Sequence, residues 1–129
     1  MKVIRDYLTI NDFASVIFNN EAITLDDLLV NRVEKSFNFL KSFSANKVIY
    51  GVNTGFGPMA QYRIQPEDQL QLQYNLIRSH SSGTGNPLSP IHVKAAILAR
   101  LNTLALGKSG VNTMVITLMK ELINRDITP

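Results

Sequence analysis

The 129-residue chain contains no cysteine. That absence excludes a disulfide framework and any zinc site built on thiolates. Its two histidines, His80 and His92, stand twelve residues apart, a spacing that fits no recognised metal motif. No apolar run approaches the roughly 18 residues of a membrane span, and Met1-Lys2-Val3-Ile4-Arg5-Asp6 carries charge where a signal peptide needs its apolar stretch. A soluble cytoplasmic protein with no membrane partner is therefore expected. Thirteen Lys and Arg against ten Asp and Glu give a formal charge of +3, yet no two basic residues are adjacent. Nucleic-acid footprints gather positive charge on one tract or face, so no nucleic-acid partner is expected. Internal repeats and low-complexity tracts are absent too.

What is present is a globular balance, 45% apolar and 18% charged, in a length sufficient for one domain or part of one. Residues 9–19 read as a short helix with Asn11 as N-cap and Phe13, Val16 and Ile17 on one face; Asn19-Asn20 ends it. Thr24-Leu25-Asp26-Asp27 resembles a capping box, and Leu29, Val33, Phe37 and Leu40 then recur at helical spacing over about five turns. The β-branched stretch Lys47 to Tyr50 predicts a strand. Pro66-Glu67-Asp68 opens a further helix, with Leu70, Tyr74 and Ile77 as its apolar stripe.

After Ser89-Pro90, residues 91–106 are apolar on nearly every side, the pattern of a helix enclosed by several neighbours. A last helix, residues 112–124, is expected to turn Val115, Leu118, Met119 and Leu122 inward. The predicted class is mainly α with one or two short strands. Asp126-Ile127-Thr128-Pro129 supplies neither cap nor polar tail, so the chain is read as an N-terminal fragment of a longer one. Within that single fragment, residues 1–88 form a smaller mixed part and residues 89–129 begin a helical core.

Two phosphate-binding patterns fail. Gly107-Lys108-Ser109 has Asn102 where a P-loop needs its first glycine, and a helix where it needs a strand, so a helix C-cap is the better reading. Gly51 to Gly57 has the order G-x-x-x-G-x-G rather than the dinucleotide fingerprint. A nucleophilic triad on Ser79 and His80 is set aside, since neighbours at one helix end rarely hydrogen-bond productively.

Five of the seven glycines fall in two windows, at 51, 55 and 57 and at 83 and 85. The first window follows Tyr50, and the second follows Ser79-His80. Concentrating the entropic cost of glycine in this way points to two shaped loops, which could face each other across a cleft. Taken alone, Tyr50 could be a buried, hydrogen-bonded phenol and His80 a histidine favoured by a helix C-terminus. The strings Tyr50-Gly-Val-Asn-Thr-Gly-Phe-Gly57 and Asn75-Leu-Ile-Arg-Ser-His-Ser-Ser-Gly83 together closely resemble the N-terminal part of the aromatic amino acid ammonia-lyases. That family includes histidine, phenylalanine and tyrosine ammonia-lyases and related aminomutases. The resemblance runs from about Leu25 to the end of the chain.

The resemblance implies the N-terminal part of a helical fold of the fumarase/aspartase kind, in a homotetrameric parent that eliminates ammonia from an aromatic amino acid. It implies a methylidene-imidazolone electrophile formed from an internal Ala-Ser-Gly tripeptide, and no such tripeptide occurs in these residues. By the same resemblance Tyr50 is the catalytic acid/base that takes the β-proton. A phenol titrating near pH 10 must be tuned downwards for that role. Gly51, Asn53, Thr54, Gly55, Phe56, Gly57 and Gly83 would shape the loops. Ser79 and His80 would meet the substrate ring. Ser-His in this place is typical of histidine lyases, His-Leu of tyrosine lyases and Phe-Leu of phenylalanine lyases. Histidine is therefore the favoured substrate, with urocanate and ammonia as products of histidine catabolism. Tyrosine is the alternative, because some members with Ser-His act on it. A different class of reading is a non-catalytic helical interaction module that associates through the apolar 91–106 helix.

Overall fold

A computed structural model describes residues 1–129 and contains five α-helices and two short strands. β1, Lys2–Ile4, and β2, Ile23–Leu25, pair in parallel, with Lys2 opposite Ile23 and Ile4 opposite Leu25. Between them lies α1, Ile10–Phe18; α2, Asp27–Ser44, follows. The strands thus lie elsewhere than expected, for Lys47 to Tyr50 forms none. Around Ile49 the backbone is committed to a turn: its N–H donates to Asn53 Oδ1, and its carbonyl accepts from Val52 and Asn53. Ile49 therefore has no backbone group left for a ladder.

The chain divides into two compact units, Met1–Leu40 with Pro87–Pro129, and Lys41–Asn86. The first forty residues thus fold with those from Pro87 onward, whereas the sequence grouping places them with the two loops. In the first unit, Ile4, Val16, Ile23, Leu29, Val33, Leu98, Leu101, Leu104, Ala105, Ile116 and Ile123 form one buried cluster.

Local chemistry explains the helix ends. Thr9, not Asn11, caps α1: its backbone is extended and its Oγ1 accepts from the Asp12 N–H, while Asp12 Oδ2 accepts from the Thr9 N–H. Reciprocal satisfaction of two free donors outweighs Asn11, which has no such partner at N3. Asp12 also pairs with Lys2. The Lys2 hydrogen bond, followed by those from Thr9, holds the Asp12 carboxyl at about 2, below its ordinary 3.8. A depressed carboxylate stabilises the fold above its unfolded-state pKa, and that contribution is lost as the pH falls through its folded-state value. Asp12→Asn should therefore narrow the stability gap to the unsubstituted chain as the pH drops from near 4 to near 2. Urea midpoints across that range test this, and a gap that does not change would rule it out.

α4, Pro90–Leu104, and α5, Thr113–Asn124, pack on each other and complete the first unit. α4 is less enclosed than its composition predicts. Lys94, Leu98, Leu101 and Leu104 are buried, while Ile91, Ala96 and Ala99 are exposed, because within this chain neighbours cover only one side. α5 is rotated from expectation. Ile116 and Ile123 are buried with Met119 against them, and Val115 and Leu118 face outward. Asn124 decides between the two stripes: its amide accepts from the Ile23 N–H and donates to the Ile23 carbonyl, each at 2.8 Å, pinning the helix end to β2. Gly107 ends α4 with φ +65° and its N–H on the Leu104 carbonyl, as a C-cap rather than a phosphate loop.

In the second unit the end of α2 leads through the tyrosine turn and two short 3₁₀ turns, Gly57–Met59 and Pro66–Asp68, into α3, Gln69–His80. The stripe Leu70, Tyr74 and Ile77 is exposed, and no apolar side chain of this unit is buried. None of the helices is long and apolar enough to cross a membrane.

Candidate active site

The tyrosine turn is built on two buried polar residues. Asn53 is 4% exposed and Thr54 1%. Burial of such groups is tolerable only when their hydrogen bonds are made. Asn53 Oδ1 accepts from the Ile49 N–H at 2.8 Å. Its Nδ2 donates to the carbonyls of Ser44, at 2.9 Å, and Lys47, at 2.7 Å. Thr54 Oγ1 accepts from the Gly51 N–H at 3.3 Å and donates to the Gly55 carbonyl at 2.9 Å. The turn then closes on the following segment. The Ile64 N–H donates to the Asn53 carbonyl and the Gly55 N–H to the Tyr62 carbonyl, around an antiparallel bridge of Thr54 with Arg63.

Glycine is required here for two different reasons. Gly51 has φ +75°, a region that side chains resist. At Gly55 an added Cβ would lie 2.7 Å from Met59 Cβ and 2.8 Å from the Met59 carbonyl oxygen, so the doubling-back chain leaves no room.

Tyr50 is not the buried phenol of the alternative reading. It is 65% exposed, with its ring edge-to-face on Phe56 at 6.2 Å between centroids and 78° between planes. Its hydroxyl has no hydrogen-bond partner within the chain. The backbone on both sides of Tyr50 is thus tied down while its phenol stands free to meet something else.

Ser79 and His80 lie in the last turn of α3 rather than in a loop. His80 Nδ1 is 2.9 Å from the Leu76 carbonyl, and Ser79 Oγ donates to the same oxygen at 3.0 Å. A carbonyl only accepts, so a proton on Nδ1 satisfies this contact, and Nε2 is left without a hydrogen bond inside the chain. Ser79 Oγ is also 3.0 Å from His80 Nδ1. The two neighbours thus contact each other through Nδ1, the nitrogen that also faces the Leu76 carbonyl. The second glycine window differs from expectation as well. Gly83 avoids the left-handed region and an added Cβ would meet nothing within 4 Å, whereas Gly85 makes the turn with φ +97°.

The hydrogen bonds of the tyrosine turn and those of Ser79 and His80 form separate sets. A cavity of about 220 Å³ in this unit is lined by Ile64, Asp68, Gln71, Leu72 and Asn75, and by neither Tyr50 nor His80. One contributor has no signal in the sequence. Arg63 Nη2 donates to the Ala45 carbonyl at 3.0 Å. That bond exists only once the chain has closed on itself, so no local pattern announces it.

The family model for aromatic amino acid lyases matches residues 8–129. The chain belongs to that family. A probable histidine ammonia-lyase of Thermoplasma acidophilum is 39% identical over 95% of this chain and 25% of its own length. A histidine ammonia-lyase of Streptococcus pyogenes is 40% identical over 95% of this chain and 24% of its own. The phenylalanine aminomutase of Pantoea agglomerans has the same fold over 100% of this chain and 26% of its own, with TM-score 0.91 and 30% identity. The chain thus spans about a quarter of the length of the curated relatives it matches.

Proposed function

We propose that this chain is the N-terminal segment of a histidine ammonia-lyase, converting L-histidine to urocanate and ammonia, with Tyr50 removing the β-proton. The observation that carries the reading is a phenol with an unbonded hydroxyl, held out on a frame of buried, fully bonded polar groups. Identity of 39–40% to relatives named as histidine ammonia-lyases supports the substrate. The bare Nε2 of His80 suits it too, because a substrate imidazole can donate N–H to it.

Tyrosine remains a second reading on the same observation, since a phenol O–H donates to that nitrogen equally well. The methylidene-imidazolone of the family cannot form from these residues, which contain no Ala-Ser-Gly. What these residues supply is the proton acceptor at Tyr50 and the ring contact at Ser79 and His80. The exposed apolar faces of α3 and α4 fit a parent in which further chain or other subunits of a homotetramer cover them.

The parent enzyme given equal histidine and tyrosine should release urocanate, read by its ultraviolet spectrum. Coumarate instead would overturn the substrate while leaving Tyr50 its role. The 129-residue chain alone should show no turnover. Measurable ammonia release from it would refute the view that the electrophile lies outside these residues.

A further inference from the structure

Tyr50 owes its place to bonds made by other residues. Ile49, on one side, is held at its N–H by Asn53 Oδ1 and at its carbonyl by the N–H groups of Val52 and Asn53. Gly51, on the other, is held at its N–H by Thr54 Oγ1. The Asn53 amide nitrogen reaches in the opposite direction, to the carbonyls of Ser44 and Lys47 at and beyond the end of α2. The Ser44 carbonyl is one of the last four that a helix leaves unpaired, so one side chain both caps α2 and fixes the turn. Arg63 adds a second tie to the same stretch, at the Ala45 carbonyl.

From this geometry we infer that Asn53 is a positioning residue for Tyr50, fastening the turn to the end of α2 so that the phenol meets the β-proton in register. Both oxygen and nitrogen are needed. The oxygen orders the turn itself, and the amide hydrogens attach it to the helix. The inference rests on the proton-removing role proposed for Tyr50.

The decisive variant in the parent enzyme is Asn53→Asp. It keeps the shape and the acceptor for Ile49 but sets a carboxylate oxygen against two carbonyls. A modest misplacement of a reacting group costs about 100-fold. The expected result is therefore a fall of about that size in kcat, with KM changed less than about threefold. The isotope effect on kcat with β-deuterated substrate should rise, because proton removal becomes the slow step. Simple loss of folded protein would lower the rate and leave both KM and the isotope effect unchanged, and that outcome overturns the inference. So does an unaltered kcat.

If Asn53→Asp does not fold, Asn53→Ser decides in its place. It keeps a small polar side chain without the added charge but removes the amide that reaches the Ser44 and Lys47 carbonyls, and should raise the isotope effect with a smaller fall in kcat. An isotope effect equal to that of the unsubstituted enzyme would overturn the inference. Tyr50→Phe in parallel separates the two levels. Full activity there removes the proton-transfer reading itself. Lost activity there, beside a normal Asn53 variant, removes only the positioning role.

Discussion

Tyr50→Phe in the parent enzyme should lower kcat by about 10²- to 10⁴-fold, the range for losing a positioned general acid or base. KM should change little, because in the proposed role the hydroxyl acts at the reacting carbon rather than in uniform binding. Stability should not change. The ring would keep its edge-to-face contact with Phe56, and the hydroxyl has no partner in the chain to lose. That combination separates a chemical role from a structural one. Urocanate formation under saturating histidine, paired with a melting curve, measures both at once. A variant within a few-fold of full activity would remove Tyr50 from the proton transfer. A variant that melts early would show that the hydroxyl is a structural group.

Asp126→Gly should cost roughly 2–3 kcal/mol, and more than Lys94→Met, because the two halves of their ion pair are buried so unequally. Lys94 Nζ donates to Asn20 Oδ1 at 2.8 Å and to Asp126 Oδ1 at 2.9 Å. The lysine side chain is 8% exposed and that of Asp126 71%. Removing Asp126 leaves a buried ammonium with one neutral acceptor. Removing Lys94 leaves a carboxylate already in water, and methionine replaces most of the apolar stem. The glycine substitution isolates the charge. Asp126 sits at φ +54°, just past the end of α5, where glycine is the usual residue and backbone strain is relieved by it. The expected order of urea midpoints is unsubstituted chain, then Lys94→Met, then Asp126→Gly. The double variant should lie above Asp126→Gly alone, since no buried charge remains. The reverse order of the single variants would mean that the ammonium is well solvated, for instance from the cavity of about 200 Å³ beside it.

Lys94 also shows where reading the chain residue by residue falls short. On an apolar helix it looks like an incidental charge. Its partners, seventy-four residues before it and thirty-two after it, are supplied by two turns in the left-handed conformation, at Asn20 and Asp126. Nothing in the neighbourhood of any one of the three marks the group.

The amino-acid sequence alone determined what depends on neighbours within a few turns. That includes the five helices, the C-cap at Gly107, the glycine turn after Tyr50, and the string that marks an aromatic amino acid lyase. Each follows from spacing, capping chemistry or backbone freedom over short distances. Tertiary structure decided whatever compares groups far apart. It chose β1 and β2 over Lys47 to Tyr50 because a strand needs a partner, and the backbone of Ile49 is spent in the turn instead. It set the rotation of α5 through Asn124 on Ile23, one hundred and one residues away, against the stripe of Val115, Leu118, Met119 and Leu122 expected from spacing. It left α3 and one side of α4 uncovered, since burial depends on what else is within reach and not on composition. It also left the Tyr50 phenol free, because Asn53 and Thr54 take up the polar groups around it.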